Sequence, residues 1–190
     1  MLKNRLGIKS LHEIDVAEAR ALDSAMSKFI GSYGERHRFT ATDLSALHKD
    51  WLGEIYDWAG KYRQVNISKD GFPFAAAAQV PKLMSSFERD VLLRNTPCDF
   101  KDLAEIIRAL AETHVELVLI HPFREGNGRV TRILSTLMAL QAGLPLLDFG
   151  LIAGIKKEAY FAAVQAGMDK SYQPMEVLFT EIIERIVASS

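Results

Sequence analysis

Apolar positions recur at helical spacing along most of the chain. Leu11, Ile14, Val16, Ala19, Leu22 and Met26 mark a helix over 10–30, and Ser10 with Glu13 gives it a capping box. After a loop over 31–38, Thr40 with Asp43 signals a second start, followed by Leu44, Leu47, Trp51, Leu52, Ile55 and Tyr56 on one face. Val80, Leu83, Met84, Phe87, Val91 and Leu92 predict a third helix, with Pro81 tolerated in its first turn. Asp99 is expected to cap a fourth, which runs through Leu103, Ile106, Ile107 and Leu110 into an apolar stretch over 115–120. Val130, Ile133, Leu134, Leu137 and Met138 predict a fifth, ended by Gly143 and Pro145. A continuous helix is expected over 151–166, and a last one over 174–188 starts at Pro174 and carries Val177, Leu178, Ile182, Ile183 and Ile186.

The period changes after Trp58. Residues Tyr62 to Ser68 alternate loosely as a strand does, Lys69-Asp70-Gly71 has turn chemistry, and Phe72-Pro73-Phe74 returns. Proline confines the return arm to an edge. An isolated hairpin is marginal in water, so this one must lie against the helices, and its edge suits an extended peptide added as a strand. The expectation is an all-α domain, a compact bundle of seven to eight helices with one β-hairpin. It is one domain over 1–190, with a core over about 40–168, the helices over 10–30 and 174–188 packed on it, and an N-terminal arm from Met1 to Lys9.

Composition narrows the function classes. Lys+Arg 23 against Asp+Glu 24 leaves a net charge of −1, which does not make a nucleic-acid-binding surface. A single cysteine, Cys98, rules out an internal disulfide and suits a reducing compartment. No apolar run approaches the length of a membrane span and the N-terminus lacks a signal-peptide core, so a cytoplasmic location without membrane contact is expected. The aromatic stripe around Trp51 reads as core, and His48 as a satisfied structural histidine. His114, two turns before His121, reads as a core or groove residue.

The chemistry concentrates in His121 to Arg132, HPFREGNGRVTR, between a buried segment and the first turn of a helix. Glycines at 126 and 128 allow unusual backbone angles and close approach of a ligand. A helix beginning near Asn127 presents unpaired N–H groups and a positive dipole end, which suits phosphate. Arg129 and Arg132 project from neighbouring faces of that first turn, and guanidinium groups match phosphate oxygens bidentately. Glu125 is out of place in a pure anion site and suits a hard cation such as Mg²⁺ carried with the phosphates. His121 is a base at neutral pH. Taken singly, each element also fits an ordinary capped helix start with solvated arginines; together they describe nucleotide chemistry.

The stretch resembles the signature of Fic-domain proteins, H-x-F-x-[DE]-G-N-G-R-x-x-R, and His121, Phe123, Glu125, Gly126, Asn127, Gly128, Arg129 and Arg132 fill every defined position. The resemblance implies a protein adenylyltransferase that moves AMP from Mg-ATP to a hydroxyl side chain of a target protein. In that reading His121 deprotonates the hydroxyl and Glu125 holds Mg²⁺. Gly126, Asn127 and Gly128 cradle the α- and β-phosphates, Arg129 and Arg132 bind the outer phosphates, and Phe123 anchors the loop. Tyr160 is a candidate for enclosing the adenine, although core packing explains it equally well. The related Doc branch, which transfers phosphate, carries lysine where Gly128 stands. Other transfers on the same scaffold (another nucleotide, phosphocholine, removal of AMP) and a non-catalytic nucleotide-dependent binding module remain as alternatives.

The segment WAGKYRQVNISKDGFPFA is similar to the family's target-aligning flap, with Gly60 and Arg63 at familiar positions, which implies that Ser68, Lys69, Asp70, Gly71 and Phe72 dock the target. Arg63 reads equally as a surface ion pair. Family members often silence themselves with [ST]-x-x-x-E-[GN], whose glutamate pairs with the second motif arginine. The nearest match, Thr180 to Glu184, is followed by Arg185 and reads as a surface segment. The resemblance therefore implies a small toxin-like member controlled by a separate inhibitory, antitoxin-like protein.

Overall fold

The structure, a computed structural model, describes residues 2–188; Met1 of the expected arm and residues 189–190 of the expected domain lie outside the described residues. The helices are α1 (Leu11–Ser32), α2 (Ala41–Leu52), α3 (Val80–Phe87), α4 (Leu93–Asn95), α5 (Leu103–Ile120), α6 (Asn127–Gln141), α7 (Gly150–Ala153), α8 (Lys157–Ala166) and α9 (Gln173–Val187). A two-stranded antiparallel sheet, β1 (Ser68–Lys69) and β2 (Phe72–Pro73), pairs Ser68 with Pro73 and Lys69 with Phe72. Helix α5 is the axis. It packs against α6 and α9 and touches α3 and α8, while α1 lies on α2 and α2 on α6. Eleven of its side chains are buried, so it is apolar nearly all round, as a central helix must be.

The starts of the helices follow their caps. The Ser10 hydroxyl accepts the Glu13 N–H, and at α2 the Thr40–Asp43 box is closed in both directions. Helix α6 ends in Gly143 at φ 74°, with Leu144 N–H bonded back to the Ala139 carbonyl, a Schellman arrangement. Three expectations need correction. Asp102, not Asp99, caps α5, its carboxylate accepting the Ala104 N–H. The helix expected over 151–166 is broken at Gly154, which leaves one turn, α7, before α8 begins at Lys157. The buried face of α1 is Ile14, Glu18, Ala25 and Phe29, while Leu11 is exposed, so the apolar stripe read from the sequence is rotated and conceals a buried carboxylate.

The hairpin is shorter than its pattern. Residues Tyr62 to Ile67 alternate but do not pair as a strand; only Ser68 and Lys69 do. Asp70 at φ 51° and Gly71 at φ 82° form the tight turn, both in the left-handed region that a type I′ hairpin requires. Phe74 N–H bonds to the Ile67 carbonyl and Ala75 N–H to the Leu119 carbonyl, tying the return arm to the end of α5.

Candidate active site

The chain turns sharply between α5 and α6, and the turn is built from its own side chains. His121 caps α5 at φ 52°, in the left-handed region, with its N–H still bonded to the Leu117 carbonyl. Phe123 is fully buried and its backbone is closed by Asn127, whose Oδ1 accepts the Phe123 N–H (2.7 Å) while its Nδ2 donates to the Phe123 carbonyl (2.8 Å). Asn127 is itself buried, so what it offers a ligand is its main-chain N–H. Gly126 stands at φ 79° as the N-cap of α6, and a Cβ there would lie 2.7 Å from the Trp51 ring. Gly128 differs: it is helical, and a Cβ would meet nothing within 4 Å. Its missing side chain is therefore no requirement of the fold; it leaves room above the first turn of α6.

His48 holds the loop from beneath. Gly60 N–H donates to its Nδ1 (2.8 Å), so the proton sits on Nε2, which donates to the Glu125 carbonyl (3.1 Å). Its ring stacks on Phe123 with centroids 4.0 Å apart and planes 6° apart, and burial lowers its pKa to about 4. The satisfied structural histidine expected from the sequence is what the structure contains.

At His121 the same logic selects the other nitrogen. Nδ1 lies 3.1 Å from the Val118 carbonyl and must donate to it, which leaves the Nε2 lone pair without a partner among the described residues. Burial lowers the pKa of His121 to about 4, helped by the Arg63 and Lys69 charges and opposed by the Val118 bond. The imidazole is thus neutral at physiological pH and available as a base. It opens into a cavity of about 490 Å³ that is also lined by Glu125, Gly126, Asn127, Gly128, Arg129 and Arg132. The first N–H groups of α6 have no intrahelical acceptors and face the same space.

The two arginines are held differently. Arg129 lies over the Trp51 ring, 4.6 Å from its centroid, and its Nη2 is 2.7 Å from Glu18 Oε2 and 3.8 Å from Glu125 Oε1. Arg132, largely buried, has no carboxylate within salt-bridge distance among the described residues. Tyr160 and Phe161 of α8, with Lys157 and Ile152, form the far wall. The Tyr160 hydroxyl is 3.0 Å from His114 Nε2. Because Ser135 Oγ donates to the Thr131 carbonyl, it must accept from His114 Nδ1, and so Tyr160 donates to His114. Tyr160 therefore lines the cavity while its hydroxyl is held in the core by His114. A separate depression of about 580 Å³ is lined by Arg94, Glu112, Lys170 and Tyr172; Arg94 pairs there with Glu112, while Lys170 and Tyr172 both bond to Glu116.

Comparison with known proteins gives this geometry a family. Residues 38–139 match the model of the Fic/DOC family, over more than half of the chain. The chain belongs to the Fic/DOC family. It is 29% identical over 191 residues to the Probable protein adenylyltransferase Fic of Escherichia coli strain K12, covering 96% of this chain and 88% of that protein. It is 32% identical over 147 residues to protein adenylyltransferase VbhT of Bartonella schoenbuchensis, covering 75% of this chain and 30% of that one. Among solved structures, the BepC effector of Bartonella tribocorum with bound AMPPNP superposes with TM-score 0.78 at 25% identity, covering 96% of this chain and 91% of that chain. The N-terminal Fic domain of a Bep effector from Bartonella quintana with bound ADP gives 0.79 at 26% identity, covering 96% and 90%. The mostly helical architecture with one small hairpin is thus the Fic fold.

The hairpin of this Fic domain is exposed along Ser68, Lys69, Asp70 and Gly71, with Phe72 half-buried. Lys69 also reaches the cavity and lies over the Phe161 ring, 4.8 Å from its centroid. Of the two readings of Arg63, the surface ion pair is overturned. Arg63 is 3% exposed and pairs with no carboxylate among the described residues; Nε donates to the His121 carbonyl (2.6 Å), Nη1 to Val65 (2.7 Å) and Nη2 to Ala75 and Ile120. The guanidinium staples both arms of the flap to the end of α5. Three residues near the site escaped the sequence reading: Phe74, Phe161 and Glu18. An acidic residue one turn after Ile14, on the face that continues to Ala25 and Phe29, was the available signal for Glu18.

Glu125 suits a metal carried by a ligand. Its carboxylate is exposed, Oε1 accepts the Gly126 N–H (2.8 Å), and Oε2 has no hydrogen-bond partner among the described residues. No group of three or more His, Cys, Asp or Glu among the described residues holds a metal by itself. A single free carboxylate beside a phosphate-sized anion site fits Mg²⁺, which keeps water and phosphate oxygens in most of its shell.

Proposed function

We propose that this chain is a protein adenylyltransferase that moves AMP from Mg-ATP to a hydroxyl side chain of a target protein. The observation that carries the reading is the Nε2 of His121, which has no partner among the described residues and opens into the same cavity as the N-terminus of α6 and Arg132. The names of the relatives and the AMPPNP and ADP bound in the similar structures support the same reading. The target oxygen bonds to the α-phosphorus as the bond from that phosphorus to the bridging oxygen breaks. Pyrophosphate leaves with that electron pair, and the hydroxyl proton passes to His121 Nε2. Glu125 would hold Mg²⁺, whose charge offsets that of the phosphates. The N–H groups of Asn127 and Gly128 and the Arg132 guanidinium stabilise the charge that develops. The exposed edge of the hairpin would align an extended target segment by main-chain pairing.

ATP labelled on the α-phosphate, incubated with the protein and a bacterial lysate, should label a protein band that is absent with His121→Ala. Label on the γ-phosphate should not be transferred. Transfer of the γ-label instead would place the chain with phosphate-transferring relatives.

The same reading extends to control. Glu184 is exposed on α9, and Arg132 meets no carboxylate among the described residues. An inhibitory glutamate would then come from a separate small helical protein, as in a toxin and antitoxin pair. Glu184→Gly should leave transfer within about twofold of the parent, as expected for an exposed side chain that does not line the cavity.

A further inference from the structure

The first motif arginine is held by a residue that lies outside both the motif and the matched family segment. Glu18 belongs to α1, which precedes residues 38–139, and it is 4% exposed. Its two carboxylate oxygens are both used. Oε2 meets Arg129 Nη2 at 2.7 Å and Oε1 accepts the Tyr56 hydroxyl at 2.6 Å. Its backbone carbonyl accepts Trp51 Nε1 at 2.9 Å, and the Trp51 ring is the platform beneath the Arg129 guanidinium. One turn of α1 therefore fixes both the arginine and the surface on which it lies.

A carboxylate this deeply buried is costly unless it is paired and hydrogen-bonded. Arg129 is the only cation paired with it among the described residues. An anion beside an anion-binding site weakens the net pull on phosphate, so the pair does not serve ground-state affinity. It serves orientation: a side chain with four rotatable bonds is held in one rotamer at the edge of the cavity, with its remaining N–H groups still available.

We infer that Glu18 is a positioning residue of the nucleotide site, acting through Arg129, and that α1 is thereby part of the catalytic unit. The inference rests on the adenylylation reading. Its signature is a split between binding and turnover. Removing the charge frees Arg129 to follow the phosphates, which raises ground-state affinity, but its fixed geometry in the transition state is lost.

The test uses the full chain in four forms: wild type, Glu18→Gln, Arg129→Ala and the double variant. Mg-ATP affinity is measured by calorimetry and transfer of α-labelled AMP at saturating ATP. Glu18→Gln should bind Mg-ATP about threefold or more tightly, yet transfer about tenfold or more slowly. On the Arg129→Ala background it should add little to the transfer defect, because the effect runs through that side chain. Glu18→Asp keeps the charge and withdraws it by one methylene, so it should slow transfer even if the glutamine variant is unstable. Unchanged transfer in a folded variant, affinity and transfer lost together, or an equal transfer defect with and without Arg129 would each overturn the inference. A wild type that binds Mg-ATP but transfers no AMP defeats the adenylylation reading instead; equal affinity in wild type and Glu18→Gln then overturns the role of Glu18 as well.

Discussion

The imidazole of His121 lies flat against the ring of Phe74, with centroids 3.6 Å apart and planes 13° apart. Phe74 is the first residue after β2, and its N–H bonds to the Ile67 carbonyl, so the hairpin and His121 share a wall. The stack and the Val118 bond fix the imidazole on two sides and aim Nε2 at the cavity. Phe74→Ala should slow AMP transfer about tenfold or more through loss of that aim. It should also let water reach the imidazole and raise the pKa of His121 from about 4 toward its ordinary value. An NMR titration of the ring resonances checks the second point. A pKa still near 4 in the alanine variant would show that the flap does not shield the base.

Two buried histidines and the half-buried His121 predict an acid-sensitive fold. Burial lowers the pKa of His48 to about 4, of His114 to about 3 and of His121 to about 4. Below about pH 6.5 the unfolded chain takes up protons that these folded sites refuse. Their contribution is therefore complete above pH 6.5 and is lost as pH falls toward the folded values. Near pH 5 the three together should remove about 3–4 kcal/mol of stability per pH unit. Urea unfolding at pH 7, 6 and 5 measures this, and a flat free energy across that range would contradict the assignment of all three as neutral. Transfer, by contrast, should show no inflection at pH 6.5, since His121 is already deprotonated there.

The two glycines of the motif, alike in sequence, should separate on mutation. Gly126→Ala must place a methyl group against the Trp51 ring at a positive φ, and it should cost at least about 2 kcal/mol of stability. Gly128→Ala meets open space on the helix and should fold as well as the parent, but it intrudes above the α6 N-terminus and should weaken Mg-ATP binding. Thermal melts and calorimetric titrations of the two variants separate these outcomes. Equal melting temperatures would remove the distinction.

How much of this was legible beforehand depends on whether the cause was local. The Thr40–Asp43 box, the Gly143 terminator, the Asp70–Gly71 turn and the 121–132 loop are determined by near neighbours, and the sequence shows them directly. The break at Gly154 was not visible, because apolar residues continue on both sides of it and one glycine does not always end a helix. The strand expected over 62–68 failed for a different reason. Its alternation is real, but Arg63 N–H bonds to the Pro122 carbonyl in the loop after α5 and the Val65 carbonyl accepts from the Arg63 side chain, instead of pairing with a partner strand. Phe74 and Phe161 reach the cavity, and Glu18 reaches Arg129, only through tertiary packing, which no periodicity reports.

Arg63 provides the last prediction. Its guanidinium reaches four carbonyls on two sides: Ile120 and His121 at the end of α5, and Val65 and Ala75 on the arms of the flap. The carbonyls at the end of α5 have no intrahelical donors, and a cation beside a helix C-terminus is favoured by the dipole. Burial lowers the pKa of Arg63, but an arginine remains charged there where a lysine would be under more pressure to lose its proton. Lysine is also a single point of charge and cannot span both sides. Arg63→Lys should therefore leave at least one buried carbonyl unpaired and cost about 2–4 kcal/mol. Because the same bonds anchor the residue after Phe74 and the backbone of His121, AMP transfer should fall while Mg-ATP binding, which uses α6, is better preserved. Chemical denaturation and calorimetry on the lysine variant provide both readings. If it unfolds within about 0.5 kcal/mol of the parent, the staple carries no weight and the flap is held by its own backbone.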